Sequence, residues 1–238
     1  MKKTIGILGG MGPEATSYFY ELIIKNTKAS KDQEHIQVVI YSNPKIPPRT
    51  DAIFEKGPSP LSLLIEGVKI LRQAGANFIV MPCVTAHYYY REVVKHEKIP
   101  FLNLLDETLS YVQKNFPRMR TAGLIASSGT IKSKLFHDTF ARENIKIIAP
   151  YEEEQEEIMD AIFGKEGIKA GFTSGRPKNM IQKAAQKLIR RGAEAVIAGC
   201  TEVPLVLKEE DIHLPLIEPL KIMAQESILK AGYEIKEG

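Results

Sequence analysis

Short apolar runs rich in Ile, Val and Leu alternate along the chain with stretches whose apolar residues recur every three or four positions. Runs of the first kind predict buried parallel strands, and stretches such as SLLIEGVKILRQAG and MIQKAAQKLIRRG predict amphipathic helices. The predicted strands cover residues 4–8, 37–41, 78–81 and 101–102, and then 122–126, 146–149, 195–198 and 216–217. This alternation predicts doubly wound α/β units with mainly parallel sheets.

The same pattern occurs twice. The segment TIGILGGMG, from Thr4, returns as TAGLIASSG, from Thr121, at an offset of 117 (121 − 4). The segment AGANFIVMPC ends at Cys83, and its counterpart RRGAEAVIAGC ends at Cys200, again at an offset of 117 (200 − 83). KIPFLNLLD and HLPLIEPLK form a third pair, whose prolines are 115 apart (215 − 100). Three segments in the same order at nearly one offset indicate two copies of one unit.

The repeat predicts two pseudo-symmetric α/β domains. We expect the first domain to cover residues 1–117 and the second residues 118–218. The remaining stretch, 219–238, reads as a helix that packs back on the first domain.

Composition narrows the class of protein. The 238 residues are 44% hydrophobic and 26% charged, which is typical of a globular protein with a sizeable core. The net charge of +3 is too small to indicate nucleic acid or a membrane surface as partner. No apolar run is long enough to span a bilayer, and Gly and Pro break the short one at the start, which argues against a signal peptide. Two distant cysteines do not form a disulfide framework, so we expect a cytoplasmic protein.

Each repeat places one cysteine just beyond the carboxyl end of a predicted strand, where open α/β sheets form ligand crevices. A single cysteine is most often a small buried hydrophobe. The repeated pair favours a reactive role, because Thr85 and Thr201 follow the thiols and are suited to begin helices. A helix N-terminus lowers the pKa of a nearby thiol, so we expect both thiols to be activated in this way.

Other motifs carry weaker signals. GGMGPEA matches the spacing of a dinucleotide-binding loop but lacks the acidic residue after the second strand, and we interpret it as a cradle for a small anion. Its counterpart ASSGT is also typical of a simple helix N-cap. Arg49, in NPKIPPRT, is suited to a carboxylate, and Lys165 lies in IFGKEGIKAG. Each of these two residues alone is more typical of a solvated surface. The histidines lack metal-ligand spacing, so no metal site is expected.

Five motifs together carry a resemblance to a known family. IGILGGMGPEAT, NPKIPPRT, MPCVTAH, IFGKEGIKAG and GAEAVIAGCTEVPLVL resemble the PLP-independent aspartate/glutamate racemase superfamily, most closely its aspartate racemase branch. The resemblance spans nearly the whole chain. It implies two α/β domains with the active site in the interdomain cleft, a homodimer, an amino-acid substrate and no cofactor.

The resemblance also implies residue roles. Cys83 and Cys200 would be the two catalytic acid/bases, and Arg49 and Lys165 would bind the substrate's side-chain carboxylate. The residues expected around the rest of the substrate are Met11, Gly12, Val84, Thr85, Ser127, Gly129, Thr130 and Thr201.

The chain departs from the family at two positions near the expected substrate. Val84 stands where relatives often carry Asn, and Pro48 stands where many aspartate racemases carry Asp. On the motif matches, the first hypothesis for the function is interconversion of L- and D-aspartate, with glutamate as a further substrate. The alternatives are a broad-specificity racemase, an isomerase or decarboxylase with one nucleophilic cysteine, and a non-catalytic binder of small acidic ligands.

Overall fold

The computed structural model describes residues 2–236 and divides the chain into two compact units. The first unit consists of the chain up to Glu107 together with the segment that begins at Leu220. The second unit covers Thr108–Pro219. The break therefore falls inside the helix Leu104–Asn115. The domain boundary that the sequence predicts, between residues 117 and 118, marks where the repeat divides, and it remains a prediction.

The elements follow one another as the hydrophobic pattern indicates, except that the strand predicted at residues 101–102 is only a single bridge at Phe101. The strands are β1 Ile5–Gly9, β2 Val38–Ser42, β3 Phe78–Val80, β4 Thr121–Ile125, β5 Lys146–Ile148, β6 Val196–Ala198 and β7 Leu216–Ile217. The α-helices are α1 Pro13–Asn26, α2 Arg49–Ile53, α3 Leu61–Gln73, α4 Tyr90–His96, α5 Leu104–Asn115, α6 Ser128–Lys132, α7 Leu135–Ala141, α8 Glu152–Phe163, α9 Arg176–Arg190, α10 Val203–Val206, α11 Glu209–Ile212 and α12 Pro219–Lys230. Short 3₁₀ helices cover Asp32–Glu34, Thr85–Tyr89 and Ile168–Ala170.

Both units contain a parallel sheet of the same topology. The first sheet has the order β2-β1-β3, and a single parallel bridge joins Ile79 in β3 to Phe101 beyond it. The second sheet has the order β5-β4-β6-β7. All strand pairs are parallel. The predicted α/β fold with two parallel sheets is confirmed.

The repeat extends to the register of the sheets. Gly6 in β1 is paired with Ile79 in β3, and Gly123 in β4 is paired with Val196 in β6. Both members of the second pair lie 117 positions after those of the first. The backbone hydrogen bond from Asn77 N to Thr4 O likewise recurs from Glu194 N to Thr121 O. The interpretation of the chain as two copies of one unit is thus confirmed at the level of individual hydrogen bonds.

A glycine at the same place in each first strand lets a helix lie close against the sheet. A Cβ on Gly6 would lie 2.7 Å from the Cβ of Ala76 and 3.4 Å from that of Leu71. A Cβ on the equivalent glycine would meet the equivalent alanine and leucine. That second set is Gly123, Ala193 and Leu188. Close packing of helix on strand therefore depends on the same three residue types in both units.

The C-terminal helix belongs to the first unit. Ala231, just after α12, accepts a backbone hydrogen bond from Lys3 N at 3.0 Å, and Ile235 forms an antiparallel bridge with Thr27. Among the helices of residues 2–236, none is long and apolar enough to cross a membrane.

Candidate active site

Each cysteine lies just past the end of a central strand. Cys83 follows the last residue of β3 by three positions, and Cys200 follows the last residue of β6 by two. Both are free thiols; Cys83 is buried and Cys200 is partly exposed. The predicted placement at the carboxyl ends of strands is what the structure shows for both residues, and such ends are where α/β sheets bind ligands.

Cys200 donates a hydrogen bond to a buried carboxylate. Its Sγ lies 2.9 Å from Oε2 of Glu202, and the hydroxyl of Thr201 donates to the same oxygen at 2.9 Å. The other oxygen, Oε1, forms an ion pair with the ammonium group of Lys169. Glu202 is only 4% exposed. A carboxylate this deeply buried needs such partners, and here three donors share its two oxygens.

The electrostatics of this cluster favour the protonated thiol. Burial raises the pKa of Cys200 well above its ordinary value, and the negative charge of Glu202 raises it further. Burial alone would raise the pKa of Glu202 as well, but the charge of Lys169 and the donated hydrogen bonds lower it overall. In this cluster the carboxyl is therefore ionised and Cys200 holds its proton.

This result corrects one expectation from the sequence. We predicted that a helix beginning at Thr201 would lower the pKa of Cys200. The helix α10 begins only at Val203, with Glu202 at its N-cap, and has four residues. Burial and the neighbouring carboxylate outweigh so short a helix, so the prediction is wrong for this thiol.

The lysine that reaches the Cys200 cluster is Lys169. It lies in the 3₁₀ turn Ile168–Ala170, whereas the predicted Lys165 is exposed in the loop after α8. Both occur in IFGKEGIKAG, and sequence reasoning selected the one between two glycines. Glu202 was also missed. The sequence signal that could have indicated Glu202 is that it is a lone charged residue inside the apolar run AVIAGCTEVPLVL.

Cys83 is held through its backbone. Its N–H donates to Met81 O at 2.8 Å, and its carbonyl accepts from Nδ1 of His87 at 2.9 Å. Val84 is buried beside it, and the 3₁₀ helix begins at Thr85, as the sequence predicted. Sequence analysis considered His87 only as a metal ligand and did not identify this contact.

Arg49 joins the loops that follow β1 and β2. Its Nη1 donates to Ile46 O at 3.3 Å and Pro47 O at 3.0 Å, and its Nη2 donates to Met11 O at 3.0 Å. The buried Nε has no hydrogen-bond partner among residues 2–236. The structure thus brings together two predicted site residues, Arg49 and Met11. Part of the guanidinium is occupied by the backbone, and Nε retains a donor.

The loop after β1 is shaped by a glycine and a threonine. Gly10 has φ +92°, and a Cβ there would lie 2.3 Å from Asn43 N. Its N–H donates to Oγ1 of Thr16 at 2.8 Å, and the Thr16 hydroxyl donates to Gly12 O at 2.9 Å. Pro13 occupies the first turn of α1. Because Thr16 already takes the Gly10 N–H, the predicted anion cradle would use the other N–H groups of the loop.

The equivalent loop after β4 has its own side-chain support. Ser127 is the N-cap of α6 and accepts from Thr130 N at 3.4 Å, which confirms the predicted capping role. Gly129 and Thr130 are buried. Nε2 of Gln155, on α8, donates to Ala126 O at 2.9 Å and to Oγ of Ser128 at 3.2 Å. Gln155 supports this loop much as Arg49 supports the first, and the sequence analysis did not identify it.

The sequence matches a known protein family. The family described as Asp/Glu/hydantoin racemase matches residues 8–227. This protein belongs to that family. The match includes both cysteines and both strand-end loops, so it covers the repeat as a whole.

Individual relatives span nearly the whole chain. A broad-specificity amino-acid racemase, RacX, from Bacillus subtilis is 26% identical over 231 residues, which is 94% of this chain and 96% of that protein. The structure of Picrophilus torridus aspartate racemase is 31% identical, with a TM-score of 0.84 over 98% of this chain and 96% of that one. A glutamate racemase from Francisella tularensis, in complex with D-glutamate, shares the fold at 16% identity, with a TM-score of 0.68 over 97% of this chain and 82% of that one.

Proposed function

We propose that this protein is a cofactor-independent racemase that interconverts L- and D-aspartate, with glutamate as a second substrate, and that Cys83 and Cys200 are its two acid/bases. The observation that carries the proposal is the hydrogen bond from the Cys200 thiol to the buried, lysine-paired carboxylate of Glu202. A purely structural cysteine behaves as a small hydrophobe. Both thiols pack against apolar residues of their units, but Cys200 also has the Glu202 carboxylate as a partner. Here a repeated cysteine in a racemase-family chain is built into a proton-holding cluster.

Racemisation requires a proton to leave one face of Cα and another to arrive on the opposite face. In one direction the thiolate of Cys83 takes the α-proton while the thiol of Cys200 gives its proton to the carbanion. In the other direction the roles are exchanged. Because Glu202 favours the protonated form of Cys200, we assign Cys200 as the acid of the resting enzyme and Cys83 as its base. This arrangement requires both thiols to face one Cα, as the resemblance to the family implies.

The developing charge on the substrate also needs stabilisation. As the α-proton leaves, negative charge moves onto the α-carboxylate, where preorganised N–H and O–H donors are most effective. The strand-end loops supply candidates for this role. These are the backbone at Met11 and Gly12, Thr85, and Ser127, Gly129 and Thr130, with Thr201 beside the second thiol. Val84 offers an apolar wall in place of a side-chain amide.

Arg49 favours an acidic substrate. Three backbone carbonyls orient its guanidinium, and a positive charge held in one orientation is suited to a carboxylate. Lys165 is exposed, which is consistent with a second, more loosely held positive charge. Aspartate is preferred in this proposal because the sequence motifs and the 31% identical relative belong to aspartate racemase. We further propose a homodimer, as the resemblance implies, and a cytoplasmic location, as the two distant cysteines predict.

Broad specificity is the second candidate function. It is favoured by the similarity to RacX and by Val84, which can form no hydrogen bond with a substrate. A panel of both enantiomers of Asp, Glu, Ala and Lys, followed by chiral chromatography, distinguishes the two. Equal or faster turnover of neutral or basic amino acids would replace the aspartate proposal with this one.

The decisive experiment follows the fate of the α-proton. Enzyme purified and treated with hydroxylamine and EDTA is incubated with L-aspartate in D₂O, and product and substrate are separated and examined by NMR. Two opposed bases predict deuterium in the D-aspartate first formed, while the remaining L-aspartate still carries hydrogen. Cys83→Ser and Cys200→Ser should each abolish racemisation in both directions while circular dichroism stays unchanged. Near-native racemisation by either folded variant, or activity that returns only with added PLP, would overturn the mechanism.

A further inference from the structure

The imidazole ring of His87 forms hydrogen bonds with two separate segments of the first unit, one at Cys83 and one at the start of α5. Nδ1 lies 2.9 Å from the carbonyl oxygen of Cys83, and Nε2 accepts a hydrogen bond from Leu104 N at 3.2 Å. Since a carbonyl can only accept, the Nδ1 atom carries the hydrogen and Nε2 is the acceptor. Both bonds together therefore require the neutral ring in a single tautomer.

The surroundings leave this ring little freedom. His87 is 3% exposed and is stacked on Tyr90 with a ring-centroid distance of 6.0 Å and an interplanar angle of 9°. The hydroxyl of Tyr90 donates to Phe101 O at 3.0 Å, and Phe101 in turn bridges to Ile79 in β3. The imidazole is thus linked, through Tyr90 and Phe101, to the strand that Cys83 follows.

The contact with α5 completes the capping of that helix. Side-chain Oδ1 of Asn103 accepts from the N–H groups of Leu105 at 2.9 Å and Asp106 at 3.4 Å. Leu104 N, which comes first in the helix, is instead satisfied by His87. Helix N-termini need such acceptors because their first N–H groups lack partners within the helix. On the side away from Cys83, the ring of His87 is therefore bound to the first turn of α5.

The effect on Cys83 is to fix its backbone on both sides. Its N–H is bonded to Met81 O, and its carbonyl is bonded to His87. Because both its N–H and its carbonyl are held, the backbone of Cys83 is fixed, and a fixed backbone sets the direction of the Cα–Cβ bond from which the thiol extends. We infer that His87 is a positioning residue for Cys83: its ring holds the Cys83 carbonyl against the start of α5 and so aims the thiol. This inference rests on the proposed role of Cys83 in racemisation.

Two substitutions separate the two hydrogen bonds. In His87→Asn, the amide nitrogen takes the place of Nδ1, so the bond to Cys83 is kept and the bond to Leu104 is lost. In His87→Gln, the amide oxygen takes the place of Nε2, so the acceptor for Leu104 is kept and the bond to Cys83 is lost. The same two substitutions at His96, an exposed residue on α4, are the matched controls.

The first readout is steady-state racemisation. His87→Asn should stay within a few-fold of the wild-type kcat. His87→Gln should lose about 100-fold in kcat at little change in KM, because a misplacement of about 1 Å costs that much and His87 acts on the base rather than on the substrate. The His96 variants should match the wild type. Equal activity of the two His87 variants, or a larger loss in His87→Asn, would overturn the inference.

The second readout does not depend on racemase activity. In a Cys200→Ser background, the rate of Cys83 alkylation by iodoacetamide is measured across pH for each His87 variant. Positioning predicts an altered alkylation rate for His87→Gln and an unchanged one for His87→Asn, at equal fractions folded. Identical rates in both would reject positioning. If instead the wild-type enzyme shows no racemisation while the alkylation difference holds, the proposed function fails and the positioning of Cys83 by His87 stands.

Discussion

The buried imidazole of His87 should make the first unit sensitive to acid. Burial lowers the pKa of His87 from its ordinary 6.5 to about 4, and the charge of Asp106 and the contact with the Cys83 carbonyl only partly oppose this effect. The pKa is lower in the folded chain than in the unfolded chain. The neutral ring therefore contributes its full stability above pH 6.5, and this contribution is lost as the pH falls toward 4.

The size of this effect follows from the pKa difference. The drop from 6.5 to about 4 corresponds to about 3 kcal/mol in the free energy of unfolding between pH 7 and pH 4, since each pKa unit is worth about 1.4 kcal/mol. His87→Asn removes the titrating group. We therefore expect the wild type to lose about 3 kcal/mol more than the variant over this range, although the variant starts lower at pH 7.

Urea unfolding at pH 7, 5.5 and 4, followed by far-ultraviolet circular dichroism, measures this difference. Hydrogen exchange of the Leu104 amide locates it, because that N–H donates to the ring. His96→Asn serves as the control and should follow the wild type at every pH. If wild type and His87→Asn lose the same free energy between pH 7 and pH 4, the ring is not held neutral by burial and the reasoning is refuted.

Two further predictions concern the proposed site. Glu202→Gln, made in a chain whose other cysteine is Ser, should lower the pKa of the Cys200 thiol, measured as the pH dependence of its alkylation. The pKa should remain above that of a free thiol because burial is the larger cause of the shift. The control Glu210→Gln, at an exposed position, should change nothing, and an unaltered profile in Glu202→Gln would contradict the assigned proton holder. Arg49→Ala should lower kcat/KM for aspartate about 10- to 100-fold more than for alanine, as expected for a lost charged hydrogen bond. An equal loss for both substrates would mean that Arg49 acts only by holding the loop at Met11, and Lys165→Ala tests the second proposed cation in the same way.

The elements that the sequence predicted well are those set by local patterns. The strand from Phe78 is an apolar run that ends at a proline, and the preceding glycine, Gly75, has φ +90° at the end of a helix, as a C-cap requires. The repeat could be found because close packing of helix on strand needs the same residue types in both units, as Gly6, Leu71 and Ala76 show in the first. Their counterparts therefore recur at one offset.

The contacts around the cysteines were harder to predict because they join residues far apart in the chain. Lys169 reaches Glu202 across 33 positions, and no spacing rule distinguishes it from Lys165. The hydrogen bond between His87 and Leu104 depends on a helix that begins 17 positions further along the chain, beyond the bridge at Phe101. The pKa of Cys200 was mispredicted for a related reason: the helix start could be guessed from the sequence, but the burial and the direction of the Glu202 side chain could not.

Duplication alone would give two equivalent thiols, and two equivalent thiols make a poor pair of bases. In the mechanism that we propose, one cysteine holds a proton while the other lacks it in each direction of racemisation. The backbone of the two copies has been kept, down to the register at Gly6 and Gly123. The surroundings of the cysteines have diverged instead: a carboxylate and a lysine surround the thiol of Cys200, whereas an imidazole holds the carbonyl of Cys83. Glu202 and Lys169 act on the protonation of Cys200, whereas His87 acts on the backbone geometry of Cys83. On the proposed mechanism this difference fixes which enantiomer the resting enzyme accepts first, and after each turnover the thiol and thiolate must be exchanged before that enantiomer is accepted again.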